Sequence, residues 1–211
     1  MTQHPLIRVL IADDHPVVRT GLATILQIRP EENIAVVGQA NNGREAIALF
    51  AQLQPDVALI DLRMPEVDGL GAIVAIREQF PAARLVILTT YDSEEDIYRG
   101  LRAGAKAYLL KDAPHQELLK CVRAVHAGES CISPEVSAKF FQRMMSPDLS
   151  IRECEVVRLI ATGRTNLKIA VVLGISEGTV KFHVNNILAK LQVSDRTEAV
   201  IIALKRGIIT L

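Results

Sequence analysis

Five times in its first 127 residues the chain repeats one pattern: a short, nearly unbroken apolar run, then a longer amphipathic stretch. The runs fall at 7–12, 34–37, 57–60, 85–88 and 107–110, and the amphipathic stretches at 17–27, 43–54, 70–79, 94–103 and 116–127. A strand that is apolar at nearly every position, rather than at alternate ones, is buried on both faces, as in a parallel sheet covered by helices. In the first amphipathic stretch Val18, Leu22, Ile25 and Leu26 carry the i, i+4, i+7, i+8 stripe of a core-facing helix, and Leu118, Leu119, Val122 and Val125 do so in the last. The pattern predicts a doubly wound α/β domain with a five-stranded parallel sheet and right-handed crossovers.

The strand pattern stops after Gly128. Ser133-Pro134 opens a short helix to Arg143, with proline at an early helical position. Met144 to Asp148 then reads as a hinge, and four helices follow at 152–161, 167–173, 177–191 and 196–206. Asp195 and Glu198 have capping-box spacing, and Gly207 is a C-terminal stop. The division is 1–128, a linker with a short helix at 129–147, and an all-α domain at 148–211.

Charge divides along the same line. The whole chain balances 24 Lys and Arg against 24 Asp and Glu, which excludes a uniformly basic nucleic-acid binder but not a locally basic domain. Residues 148–211 hold nine Lys and Arg against six Asp and Glu, a net of +3, so the remainder carries −3. The basic excess sits on the helical half, where nucleic-acid contact would need it. No apolar run approaches the ~18 residues of a membrane helix, and the chain turns acidic too early for a signal peptide. Three scattered cysteines, Cys121, Cys131 and Cys154, have no paired metal spacing and suit reduced thiols, so a cytoplasmic location is expected.

In an open parallel sheet, ligands bind beyond the carboxyl ends of the strands where strand order reverses. Asp13 and Asp14 follow the first run, Asp61 the third, Thr89 the fourth and Lys111 the fifth, so all five are expected at one rim. Three carboxylates together raise one another's pKa unless a cation is present, and a hard divalent ion such as Mg2+ satisfies them. A lysine opposite and a threonine hydroxyl complete a site suited to receiving a phosphoryl group on one carboxylate. Asp56, which opens a strand, and Asp68, before Gly69 at a helix start, are assigned ordinary turn and capping roles.

The stretches VLIADDHPVVRTGL, PDVALIDLRMPEVDGL, RLVILTTYD and GAKAYLLKDA resemble the receiver domain of bacterial two-component response regulators. The resemblance implies a flavodoxin-like fold in which Asp61 accepts a phosphoryl group from a sensor histidine kinase. Asp13 and Asp14 would hold Mg2+ with the Asp61 carboxylate and the main-chain carbonyl of Arg63. Lys111 would pair with the phosphoryl oxygens, Thr89 would hydrogen-bond to them, and Tyr108 would report the change. One departure is Asp112, where many receivers carry a cis proline; a cis bond before another residue costs ~2.5–4 kcal/mol.

In the helical half, 167–173 and 177–191 are joined by a three-residue break, Gly174-Ile175-Ser176, the spacing of a helix-turn-helix. In the second helix Val180, Val184, Ile187, Leu188 and Leu191 form the core stripe, and Gly178, Lys181, Phe182, Asn185 and Asn186 the opposite face. Lysine can donate to guanine and asparagine can pair with adenine. Ser176 is the expected N-cap, whose following amides could meet a phosphate. His183 lies between the faces and reads as a packing or phosphate-contact residue, with no second histidine or cysteine spaced to form a metal site.

SIRECEVVRLIATGRTNLKIAVVLGISEGTVKFHVNNILAKLQVSDRTEAV is similar to the four-helix LuxR-type DNA-binding domain, and the whole chain resembles the NarL/FixJ family. By that likeness Lys181, Phe182 and Asn185 face the groove of double-stranded DNA. Thr165, Asn166, Thr179 and Lys190 contact its backbone, and the helix beginning at Arg196 is where such domains pair on DNA; phosphorylation is expected to promote a homodimer through the receiver. Departures are Ile151, where proline is usual, and Leu167-Lys168, where the family tends to have Lys-Glu. The leading expectation is a phosphorylation-switched transcription factor, not a metabolic enzyme and not a membrane protein. Two other readings are open on the residues: an aspartyl-phosphate hydrolase or phosphotransferase using Asp61 or Asp13, and a phosphorylation-independent DNA binder. Adjacent Asp13-Asp14 and the lack of a capping insertion weigh against the former, and the full rim set against the latter.

Overall fold

The computed structural model describes residues 6–27 and 33–209. A first compact unit extends to Phe141 and a second begins at Gln142. The first is built on strands β1 (Ile7–Ala12), β2 (Ile34–Ala40), β3 (Val57–Ile60), β4 (Leu85–Thr89), β5 (Ala107–Leu110) and β6 (Cys131–Ile132). Between them run α1 (Pro16–Gln27), α2 (Gly43–Leu53), α3 (Gly69–Gln79), α4 (Glu94–Arg102) and α5 (His115–His126). All strand pairs are parallel, in the order β2-β1-β3-β4-β5-β6.

Every residue of β3 and β4 is buried, as their continuous apolar runs require. Alternate side chains serve two cores. Leu10 and Ala12 pack with Phe50 of α2, Ile73 and Ile76 of α3 and Ile97 of α4. Val9 and Ile11 pack with Leu26 of α1 and with Leu118, Leu119 and Val122 of α5. Each such side chain contributes roughly 1.5–3 kcal/mol by leaving water.

The five expected strands are present, but the sheet has six. β6 is two residues long, pairing Cys131 with Ala107 and Ile132 with Tyr108, too short to display any period in the sequence. It lies in the stretch 129–147, expected to be a linker with a short helix, and part of that stretch joins the first unit. Ile132, and Val136 and Phe140 of α6 (Pro134–Met145), pack against the core of the first unit. α6 continues through Met144 and Met145, expected as part of a hinge. No peptide bond among the described residues is cis, so Asp112 follows Lys111 through a trans bond.

The second unit consists of the end of α6, then α7 (Ile151–Ala161), α8 (Asn166–Leu173), α9 (Glu177–Leu191) and α10 (Arg196–Lys205). Val156, Val157, Ile160, Ile169, Val180, Ile187, Leu191, Ala199 and Ala203 form its core. Each helix start has a side chain satisfying an amide that the helix leaves free: Ser150, Thr165, Ser176 and Asp195. Ser150 and Glu153 complete a capping box. At Asp195 the expected box is only half formed, because Glu198 accepts from Ser194 N instead. Gly174 turns the chain between α8 and α9 with φ of 63°, a conformation that glycine adopts without penalty.

Candidate functional site

Strand order reverses between β1 and β3, and the polar rim of the first unit lies at their carboxyl ends. Asp13 and Asp14 follow β1, Asp61 follows β3, Thr89 ends β4 and Lys111 follows β5. Asp13, Asp61 and Thr89 are buried. Lys111 Nζ lies 2.7 Å from Asp13 Oδ2 and 2.8 Å from Asp61 Oδ2, so one ammonium bridges two carboxylates from different strands. Burial alone would lower the lysine pKa, but the hydrogen bonds to Asp13 and Asp61 outweigh it and hold Lys111 above its ordinary value. The other oxygens are oriented by backbone: Asp61 Oδ1 accepts from Leu62 N and Asp13 Oδ1 from His15 N.

Asp13, Asp14, His15 and Asp61 can each direct one ligand atom into a group whose members all lie within 4.8 Å of one another. Asp14 Oδ1 is buried with no hydrogen-bond partner, although His15 Nδ1 lies 2.7 Å away. An Asp14 oxygen shielded from water and faced by no described partner but the His15 imidazole is suited to a cation, and three carboxylates favour a hard one such as Mg2+. The residues fit the ion. His15 was absent from the expected ligands; its place beside two aspartates was the available signal.

Thr89 is buried, and its hydroxyl accepts from Tyr91 N at 3.4 Å. Tyr108 is buried on β5 and donates its hydroxyl to the Tyr91 carbonyl at 2.7 Å. Burial and the nearby Asp96 and Asp92 carboxylates push its pKa upward, so it remains a donor. Arg63, expected to offer its main-chain carbonyl, turns its guanidinium 4.8 Å over the Tyr91 ring and 2.9 Å from Asp96. Thr89 and Tyr108 therefore meet at the backbone of Tyr91.

Asp68 caps α3 by accepting from Gly71 N, and Asp56 accepts from Arg8 N, matching their assignment as structural residues. Sequence reasoning missed Gly69. A Cβ there would come within 1.9 Å of the Asp61 carbonyl oxygen, so only glycine lets the start of α3 approach this loop. Arg19 was also missed; it donates to the Asp13 carbonyl.

In the second unit Val180, Ile187 and Leu191 are buried, while Lys181, Phe182 and Asn185 are exposed on the far side of α9. Lys181 makes an i,i+4 ion pair with Glu177 at 3.2 Å. Of the expected backbone contacts, Thr165 caps α8 and Thr179 shares a 2.8 Å hydrogen bond with Ser176. Asn166 has a buried Oδ1 with no partner. Lys190, also expected to contact the backbone, already has partners. Its ammonium lies 2.7 Å from buried Glu153 and 3.3 Å from the Asp148 carbonyl, so it is engaged within the unit rather than held out toward a phosphate. Helical spacing puts Lys190 on the surface but cannot show which partner lies across from it.

Residues 9–123 match the response regulator receiver domain model, and residues 147–203 match that of the bacterial regulatory proteins of the luxR family. The chain is 42% identical to the transcriptional regulatory protein YhcZ of Bacillus subtilis, covering 94% of this chain and 95% of that one. It is 40% identical to the response regulator VraR of Staphylococcus aureus, with 96% and 99% covered. A solved structure of two RcsB dimers bound to two parallel DNAs is similar over 95% of this chain and 98% of that one, with 27% identity and a TM-score of 0.73.

Proposed function

This chain belongs to the NarL/FixJ family of DNA-binding transcriptional response regulators, and on that premise we propose that phosphorylation of Asp61 is its switch. The observation that carries this reading is the Lys111 ammonium bridging Asp13 and Asp61 at 2.7 and 2.8 Å. A carboxylate oxygen of Asp61 attacks the phosphorus of a sensor kinase phosphohistidine, an acyl phosphate forms, and the imidazole nitrogen leaves. Lys111 stays beside the transferred group and offsets its added negative charge. Mg2+, held by Asp13, Asp14 and Asp61 with the Arg63 carbonyl, supplies the remaining charge neutralisation when bound. Thr89 donates its O–H to a phosphoryl oxygen, and as the side chain shifts toward it the 3.4 Å contact from the Tyr91 amide lengthens, which frees Tyr91 and the Tyr108 hydroxyl to move with it. The phosphoprotein dimerises, and two copies of α9 enter successive major-groove half-sites ~10–10.5 base pairs apart. Lys181, Phe182 and Asn185 read bases, while Thr165, Asn166 and Thr179 lie along the backbone. We place this regulator in the cytoplasm with the DNA it reads; no described helix is long and apolar enough to cross a membrane.

Incubation with acetyl phosphate and Mg2+, followed by intact mass measurement, tests the reading. One stable phosphoryl adduct, absent in Asp61→Asn, is the expected result. Steady hydrolysis of phosphate esters would indicate an enzyme, and no adduct would indicate a DNA binder that does not use phosphorylation.

A further inference from the structure

α8 is apolar on both sides, and one of those sides has no partner in its own domain. Ile169 and Ala170 are buried in the core. On the opposite strip Leu167, Val171 and Val172 are 62%, 77% and 50% exposed. Leu167 and Val171 are four residues apart and hence adjacent on the helix surface. Large aliphatic side chains grouped on one exposed strip are the mark of a covered surface.

The strip is not flat. With Thr162, Gly163, Arg164 and Lys168 it lines an open groove of about 510 Å³ between the α7–α8 turn and α8. Among the described residues Arg164 and Lys168 make no ion pair, and none that lines the groove is acidic.

Three aliphatic side chains offer nothing to a phosphate, and the base-reading side chains project from α9, so DNA does not account for the strip. A symmetric contact with a second copy would set Arg164 and Lys168 against their own counterparts with no carboxylate between them. We propose that this groove docks another protein through an amphipathic helix whose apolar stripe lies on Leu167, Val171 and Val172 and whose flanking carboxylates pair with Arg164 and Lys168.

The test uses the full-length protein and two short fluorescent synthetic helices sharing one leucine stripe, one flanked by glutamates and the other by lysines. Anisotropy should show the glutamate-flanked helix binding at least ~10-fold more tightly. Leu167→Gln combined with Val171→Gln should weaken it by a similar factor, with thermal unfolding and DNA affinity unchanged, since both side chains already face solvent. Lys168→Glu should reverse the preference between the helices. Equal binding of the two helices, full binding by the double variant, or self-association of the parent that the double variant abolishes would overturn the proposal.

Discussion

Lys190, near the end of α9, holds its ammonium 2.7 Å from the carboxylate of Glu153, a nearly fully buried residue in the first turn of α7. The pair ties the reading helix to the helix beneath it. Glu153 also accepts from Ser150 N, so it is both a cap and an anchor. Removing Lys190 leaves that carboxylate buried with one donor fewer. Lys190→Ala should destabilise the second unit by about 2 kcal/mol, less than a wholly buried pair would lose because Lys190 is partly exposed. Thermal unfolding measures this, and the double variant Glu153→Gln with Lys190→Met should recover much of the loss.

The same pair sets a pH dependence. Burial would raise the Glu153 pKa, but the bonds from Lys190 and Ser150 prevail and hold it below the ordinary value. A depressed carboxylate contributes stability that is full above the ordinary glutamate pKa of ~4.3 and is lost as pH falls through the lower folded value. The stability difference between parent and Glu153→Gln should therefore be constant near neutrality and shrink in acid. Urea unfolding at a series of pH values checks this.

Lys111 fills the acidic rim with one positive charge. Lys111→Met removes it from beside Asp13 and Asp61 while keeping most of its length. Mg2+ affinity should rise several-fold, because the carboxylates then lose the ammonium that bridges Asp13 and Asp61. The change in oligomeric state on adding beryllofluoride should be blunted. Calorimetric Mg2+ titration and light scattering read the two effects separately.

Gly69→Ala should impair phosphorylation without touching a reacting group. The new methyl would stand 1.9 Å from the Asp61 carbonyl oxygen, so the loop after β3 must shift and carry Asp61 with it. Acetyl phosphate labelling should slow by ~10-fold or more, as expected when a reacting group is displaced. Gly21→Ala, where nothing lies within 4 Å of the added carbon, is the control and should label normally.

On DNA, Lys181→Ala or Asn185→Ala should cost ~1–3 kcal/mol on the best site and flatten preference at one or two positions. In the proposed docking Lys181 must leave Glu177 to reach a base, and Glu177, at the first turn of α9, would meet the negative charge of the DNA with its own. Glu177→Gln should accordingly tighten binding to all sequences. Binding isotherms on specific and random duplexes at fixed salt distinguish the two behaviours.

The rim was legible in the sequence because strand ends are. Each apolar run in a parallel sheet ends at the same edge, so Asp13, Asp14, Asp61, Thr89 and Lys111 had to gather there. The face of α9 was legible for a similar reason: a 3.6-residue period fixes which side chains look outward. What the sequence could not show were pairings between elements distant along the chain. Nothing local joins Lys190 to Glu153, 37 residues earlier, or sets the Gly69 backbone against the Asp61 carbonyl. β6 stayed hidden because two residues carry no period, yet pairing with Ala107 and Tyr108 makes them a strand. Local pattern decided which surfaces exist; packing decided which charges on them were already engaged, since an ion pair depends on distance in space and leaves no spacing in the chain.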